Sequence, residues 1–181
     1  LRIDILSAHR EQIILLKEMG LASPFFGIES LNHKSSQSIG KGMNPEKIKE
    51  FLIELDTDLW KNIPITCSFI IGLPYETPET INKSYEWIKN SNINSVWFPL
   101  SLLTKGFYKS KFNTEYEKYG YKLDKETGYW ENEYFTYDSA CGIAEIYNEE
   151  FMRGRDKPSS WFLMTLLNNG YSLEEAKSIV I

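Results

Sequence analysis

Short apolar segments alternate with amphipathic segments of helical period through residues 1–104, and this alternation constrains the fold more than any other feature. Four segments have the composition of strands: RIDIL (2–6), SPFFGIES (23–30), IPITCSFIIGLP (63–74) and SVWFPLSLL (95–103). Strands that alternate with helices over short loops pair in parallel through right-handed crossovers. We therefore predict an α/β fold, which is either a doubly wound sheet or part of a (β/α) barrel.

Residues at the helix ends support this division. Gly20 is a natural helix stop, and Asn44 and Thr77 are each followed by Pro, which is typical of a helix start. The alternation stops near residue 104. The stretch 105–137 is rich in aromatic residues and has no clear period, while 138–153 and 159–169 have helical periodicity and Ser172-x-x-Glu175 has the form of a capping box. We divide the chain into an α/β part, 1–104, and an α-rich C-terminal extension, 105–181.

Composition excludes several functional classes. The net charge is −5, with 20 basic and 25 acidic residues, so the sequence does not predict a nucleic-acid partner. Acidic residues also interleave with the aromatic and basic residues of 107–137, which favours a lid over the barrel mouth rather than an RNA-binding surface. No apolar run is long enough to cross a bilayer. The two cysteines, Cys67 and Cys141, have no partner at metal-ligand spacing and indicate reduced thiols in a cytoplasmic protein.

Polar residues at the carboxyl ends of the predicted strands are the candidates for ligand binding, because parallel strands direct those ends to one mouth. Glu29 ends the second segment, where a carboxylate can accept hydrogen bonds from a diol or an ammonium group or can cap the following helix. Ser68 and Ile70 share a face of the third segment, and Gly72 leaves its backbone accessible. This combination suits a nucleoside, although a core strand with a buried serine gives the same pattern.

Three motifs in order carry a resemblance to a known family. GIES (27–30), SIGKG (38–42) and SFIIGLPYET (68–77), followed at once by a helix, resemble the second half of the core of radical S-adenosylmethionine (SAM) enzymes. The similarity is to the branch with a GLPGET-like turn after the fifth strand, and it covers residues 1–104. It implies the later half of a (β/α)6 partial TIM barrel, with parallel strands.

The resemblance also implies a role for individual residues. Glu29 corresponds to a position that meets polar groups of SAM, Lys41 to a basic position that pairs with the methionyl carboxylate, and Ser68 to a position that binds ribose hydroxyls. Lys41 is alternatively a solvated lysine at a helix end. The segment implied to pack on adenine contains Ile70, Gly72, Leu73 and Pro74. For Glu76 we favour a role in shaping the turn over contact with the ligand.

The family's defining cysteine motif is absent. Radical SAM enzymes hold a [4Fe–4S] cluster with three thiolates of a CxxxCxxC loop, cleave SAM reductively and use the resulting 5′-deoxyadenosyl radical to abstract hydrogen from a substrate. This sequence has no such loop and does not begin with Met. We expect the loop to lie upstream of Leu1, in the N-terminal half of the same core. The chain is then a C-terminal fragment that is inactive alone, and its substrate is not specified.

Two other functions remain open from the sequence. One is an ordinary (β/α) barrel enzyme that binds a phosphorylated metabolite, although SVWFPLSLLTKG (95–106) lacks the Gly-rich loop such a site needs. The other is a noncatalytic, truncated remnant that acts as an interaction module through the aromatic residues of 107–137.

Overall fold

Three parallel strands form the centre of the structure, a computed structural model that describes residues 1–102, 114–153 and 165–180. They are β1 (Phe25–Glu29), β2 (Thr66–Ile71) and β3 (Asn94–Pro99), and they pair in the order β1-β2-β3. Helices connect the strands, as the alternation in the sequence predicts. The described residues thus form a mixed α/β fold with a parallel sheet, and they do not close a barrel.

Five helices belong to this part of the chain: α1 (Ile3–Ala8), α2 (Glu11–Glu18), α3 (His33–Ser38), α4 (Pro45–Glu54), which continues into a π-helical turn (Leu55–Leu59), and α5 (Pro78–Lys89). The predicted helix starts are confirmed. The side chain of Asn44 accepts a hydrogen bond from the backbone of Glu46, and Thr77 forms a reciprocal capping box with Thr80. None of the described helices is long and apolar enough to cross a membrane.

The first predicted strand is wrong, because residues 3–8 form α1. Ile3 and Leu6 are three residues apart and therefore lie on one side of a helical turn, where both are buried. In RIDIL, Ile3 and Ile5 alternate as in a strand, whereas Ile3 and Leu6 have helical spacing, so this short pattern cannot separate the two structures. The last predicted strand is correct in position but ends at Pro99.

The two faces of the sheet differ in burial. Phe26, Phe69 and Trp97 point to a buried face, where Phe26 stacks with Trp60 and Phe69 stacks with Trp97. On the opposite face Phe98 is 48% exposed, and Ile70 beside it is half-buried. The second face is therefore the more accessible one around Ile70 and Phe98, while Ser68 and Thr66 on the same face are buried.

The C-terminal extension packs on the α/β part through the same hydrophobic core. It contains a 3₁₀ turn (Tyr116–Tyr119), an antiparallel hairpin with β4 (Lys122–Leu123) and β5 (Trp130–Glu131), and the helices α6 (Tyr137–Arg153) and α7 (Leu173–Val180). The predicted helix at 138–153 and the capping box of Ser172 and Glu175 are confirmed. Of the predicted helix at 159–169, the described part is helical at 165–168; the remainder and residues 103–113 lie outside the described residues.

Helix α6 covers the outer edge of β3. The side-chain amide of Asn148 accepts a hydrogen bond from the backbone N–H of Trp97 at 2.8 Å and donates one to its carbonyl oxygen at 2.9 Å. Tyr147 stacks on Tyr85 of α5, with ring centroids 3.8 Å apart. An amide that satisfies both backbone groups of an edge residue blocks the pairing of another strand there.

Candidate functional site

Glu29, Lys41 and Ser68 lie together at the adjoining ends of β1 and β2. Oε1 of Glu29 is 3.7 Å from Nζ of Lys41, and the Ser68 hydroxyl donates a long hydrogen bond of 3.5 Å to Oε2 of Glu29. Lys41 also donates to the carbonyl oxygen of Gly27 at 2.8 Å. We call Glu29, Lys41 and Ser68 the polar cluster. The structure thus brings together the three polar residues that the sequence proposes as SAM contacts.

The backbone of β1 is irregular where it presents Glu29. Glu29 has a φ of 69°, in the left-handed region that glutamate rarely adopts, and the register with β2 shifts between Gly27 and Glu29. A Cβ atom on Gly27 would lie 2.4 Å from Oε1 of Glu29, so only glycine leaves room for the carboxylate in this position. Strain of this kind is found disproportionately at functional sites.

The polar cluster carries both signs of charge; Glu29 and Lys41 are half-buried, and Ser68 is buried, with 6% exposure. Burial raises the pKa of Glu29 above its ordinary value, while the charge of Lys41 and the hydrogen bond from Ser68 act in the opposite direction. The side chains of Glu29 and Lys41 retain 20% and 34% of their exposure. A carboxylate and an ammonium that are both partly desolvated and both reachable can bind a ligand through charge-assisted hydrogen bonds.

The sequence leaves open that Glu29 caps a helix and that Lys41 is a solvated lysine at a helix end, and the structure bears on both alternatives. Asn32, not Glu29, caps α3, because its side chain accepts hydrogen bonds from the backbone N–H groups of Lys34 and Ser35. Lys41 lies beyond the end of α3, after Gly40 with a φ of 79°, and its side chain turns back to β1. Glu29 is therefore not the cap of α3. Lys41 stands at the end of this helix, where its backbone N–H donates to the Ser36 carbonyl oxygen, but its side chain contacts Gly27 and Glu29 of β1.

An apolar surface adjoins the polar cluster on the same face of the sheet. Ile70 is two residues beyond Ser68 on β2, and its neighbour across the sheet is Phe98 of β3. Ile70 is half-buried and Phe98 is exposed. A sugar or amino-acid moiety at the polar cluster would thus place an attached ring against aliphatic and aromatic side chains.

The predicted adenine-contacting backbone has a different environment. Gly72 has a φ of 92°, and a Cβ atom on it would lie 2.2 Å from Cη2 of Trp130 in β5. The Tyr121 hydroxyl donates a hydrogen bond to the Gly72 carbonyl oxygen at 2.5 Å. Leu73 is buried, and the carbonyl oxygen of Pro74 accepts a hydrogen bond from another part of the chain. Aromatic residues of the C-terminal extension therefore cover this turn.

Glu76 shapes the turn after β2, as the sequence predicts. It is 4% exposed, and its carboxyl group accepts hydrogen bonds from the Ser30 hydroxyl at 2.6 Å and from the Leu73 backbone N–H at 3.3 Å. Burial raises its pKa to about 8. Ser30 directly follows Glu29, so this contact joins the turn to the end of β1. Sequence reasoning missed Ser30, although a serine placed directly after a strand end was a usable signal.

The residues that the structure describes do not fit a [4Fe–4S] cluster. Within residues 1–102, 114–153 and 165–180 there is no group of three or more His, Cys, Asp or Glu side chains that could hold a metal ion. Cys67 is fully buried, which raises the pKa of its thiol, and Cys141 is half-buried on α6. The polar cluster, in contrast, offers a carboxylate and a hydroxyl as hydrogen-bond acceptors and an ammonium group as a donor.

Two surface clefts lie away from the polar cluster. One of about 520 Å³ lies between Trp87 and α4, and one of about 480 Å³ lies beside the hairpin and includes Tyr129 and Tyr137. Neither contains a residue of the polar cluster.

Comparison of the chain with protein-family models, with curated proteins and with solved structures finds no match in any of the three.

Proposed function

We propose that this chain is the C-terminal half of the core of a radical SAM enzyme and supplies strand ends that bind SAM. The observation that carries the proposal is the meeting of Glu29, Lys41 and Ser68 at the adjoining ends of two parallel strands. The motifs GIES and GLPYET, which resemble those of radical SAM enzymes, also support the proposal. The substrate and the reaction that follows SAM cleavage are not specified by these residues.

Each residue of the site has a distinct task in this proposal. The Glu29 carboxylate accepts hydrogen bonds from ligand hydroxyl or ammonium groups, and Ser68 offers its hydroxyl to the ribose. Lys41 attracts the ligand carboxylate as a compact point charge. Ile70 and Phe98 provide the apolar surface beside these groups. Gly72, Leu73 and Pro74 remain the proposed adenine contacts, which requires a change in the covering residues.

The [4Fe–4S] cluster belongs, in this proposal, to the N-terminal half of the core, because the described residues of this chain contain no group of three or more side chains that could hold a metal ion. When bound, the cluster supplies the electron that cleaves SAM. This chain positions the nucleoside and is inactive without the other half of the core. The two free thiols support a cytoplasmic setting, in which such a cluster and reduced cysteines persist.

Isothermal titration calorimetry of the purified 181-residue chain with SAM tests the proposal. We expect saturable binding that Glu29→Gln and Lys41→Met each weaken about tenfold or more, since hydrogen bonds to charged groups contribute roughly 1.5–3 kcal/mol. Ser68→Ala should weaken binding by about 2- to 10-fold.

The chain offers a matched control for these variants. Glu79 and Lys83 form an exposed ion pair of 2.7 Å on α5, so Glu79→Gln and Lys83→Met make the same chemical changes away from the polar cluster. We expect unchanged affinity in both. Equal losses of SAM affinity in the control variants and in the polar-cluster variants would show that Glu29 and Lys41 do not contact SAM.

One observation favours an interaction module as the second candidate. Phe25 and Phe98 are 42% and 48% exposed, on strands that flank β2. Exposed aromatic residues of this size are typical of protein contact surfaces. Absence of SAM binding, together with concentration-dependent dimerisation in sedimentation velocity that Phe98→Ser abolishes, would favour this function. Heat from inorganic phosphate in the same calorimeter would instead favour an ordinary (β/α) barrel enzyme.

A further inference from the structure

Two aromatic side chains of the C-terminal extension donate hydrogen bonds to backbone carbonyl oxygens just beyond the ends of β2 and β3. The Trp130 indole N–H donates a hydrogen bond of 2.7 Å to the Leu100 carbonyl oxygen, and the Tyr121 hydroxyl donates one of 2.5 Å to the Gly72 carbonyl oxygen. The two rings contact each other edge to face, with centroids 5.5 Å apart. Both side chains are almost fully buried.

The Trp130 ring lies directly on Gly72. Its Cη2 and Cζ2 atoms lie 2.2 and 2.9 Å from the place where a Cβ atom of residue 72 would be. The indole is a flat bicyclic ring with one N–H donor, and adenine is a flat bicyclic ring with an exocyclic amino donor. Trp130 thus makes, within the chain, the combination of ring packing and donation to a main-chain carbonyl that a purine base would make at this strand end.

The segment that carries these rings has little regular secondary structure of its own. In the hairpin, which we define as residues 121–135, each strand has two residues, and Tyr129 and Tyr134 at its surface are about half exposed. A two-stranded hairpin of this length is marginal by itself in water. The buried side chains of Tyr121, Trp130 and Phe135 anchor it in the core, and Tyr129 and Trp130 also contact the Tyr137 ring of α6. Local opening of such a unit costs less than global unfolding.

We infer that the hairpin competes with the nucleoside base for the ends of β2 and β3. Trp130 and Tyr121 contact these strand ends when no ligand is bound, and a purine base displaces the two side chains. The inference rests on the proposed function, because it concerns the base of the same ligand. Binding of the nucleoside then has two parts, capture of its polar groups at the polar cluster and exchange of its base for the indole. The measured affinity is the intrinsic affinity multiplied by the fraction of open hairpin.

Variants that loosen the hairpin should therefore bind the ligand more tightly. Tyr121→Phe removes the hydroxyl, which donates to the Gly72 carbonyl oxygen and also hydrogen-bonds with Asn132 within the hairpin. Loss of the bond to Gly72, worth about 0.5–1.5 kcal/mol, should lower the Kd of 5′-deoxyadenosine or SAM by about 2- to 10-fold. Trp130→Ala removes the ring and should lower it more than tenfold. Tyr129→Phe, on the exposed side of the hairpin, should leave the Kd unchanged. Circular dichroism establishes that each variant is folded, and Tyr121→Phe, which leaves no cavity, decides the outcome if Trp130→Ala does not fold.

A direct readout is the ¹⁹F NMR spectrum of the chain labelled with 5-fluorotryptophan, with the Trp130 signal assigned by its loss in Trp130→Phe. Addition of 5′-deoxyadenosine should move this signal to the position of solvent-exposed tryptophan and leave that of Trp60, which is fully buried in the core, in place. Ligand binding without a shift of the Trp130 signal, or weaker binding in Tyr121→Phe and Trp130→Ala, would refute competition between the hairpin and the base. Either result leaves the proposed function intact. Failure of wild type and all variants to bind either ligand overturns both.

Discussion

Ionisation of Glu76 should destabilise the folded protein as the pH rises through neutrality. Burial raises the pKa of this carboxyl group from 4.5 to about 8, so the folded state retains a proton that the unfolded state has released. Its contribution to stability is fully present below pH 4.5 and is lost progressively as the pH rises through about 8.

The size of the effect follows from this pKa difference. Each pKa unit corresponds to about 1.36 kcal/mol, so ionisation of Glu76 costs at most about 5 kcal/mol in free energy of unfolding. Between pH 6 and pH 8, a practical range, the loss amounts to about 2 kcal/mol. The cause is structural: Glu76 is 4% exposed, and its hydrogen bonds come from one hydroxyl and from the turn backbone rather than from a cation.

Urea unfolding followed by circular dichroism at pH 6 and pH 8 measures this contribution when wild type is compared with Glu76→Gln. The glutamine carbonyl oxygen can accept the bond from Ser30 or Leu73 and does not titrate, so the variant should lack about 2 kcal/mol of the loss that wild type shows. Glu79→Gln is the matched control, since Glu79 is exposed and its pKa is lowered. Identical pH dependence in wild type and Glu76→Gln would refute the reasoning.

Three further substitutions test separate contacts. Gly27→Ala puts a methyl group 2.4 Å from the Glu29 carboxylate, so calorimetry should show SAM affinity reduced by about tenfold or more while thermal denaturation shows a folded protein; unchanged affinity would contradict the glycine's role. Gly72→Ala places a Cβ 2.2 Å from Trp130 at a φ of 92°, and urea unfolding should show a loss of about 2–4 kcal/mol; a loss below about 0.5 kcal/mol would mean that the two do not touch. Asn148→Ala leaves the N–H and carbonyl group of an edge residue without the amide, and the same measurement should show a loss of about 1–3 kcal/mol, whereas no loss would exclude the edge contact.

The sequence predicted the elements whose signals are local. Helix starts at Asn44 and Thr77 were predictable because a cap followed by proline acts within one turn. The strands at 25–29, 66–71 and 94–99 were predictable because each is a short apolar run bounded by turn residues. The segment 2–6 was not, since its apolar spacing suits a strand and a helix equally, and burial against later residues decides between them.

The same difference between local signals and contacts of distant residues applies to the candidate site. The sequence was sufficient to predict which residues form the polar cluster. Parallel strands bring Glu29 and Ser68 to one edge of the sheet, and the SIGKG motif indicated Lys41. The irregular backbone at Glu29 and the return of Lys41 to β1 were not, since both depend on contacts between separate elements. The lid interpretation of 107–137 gave no indication of which aromatic residue meets which strand end. The contact of Trp130 with Gly72 joins residues far apart in sequence, and no local pattern specifies it.

In the proposed function, the ends of β1 and β2 hold a carboxylate, an ammonium group and a hydroxyl around one nucleoside. Titration of the ¹⁵N-labelled chain with SAM, followed by two-dimensional NMR, locates the ligand directly. We predict saturable shifts of the backbone signals of Glu29, Lys41 and Ser68, with the signals of α4 unchanged. Shifts confined to the cleft between Trp87 and α4, or none at millimolar SAM, would contradict the proposed function.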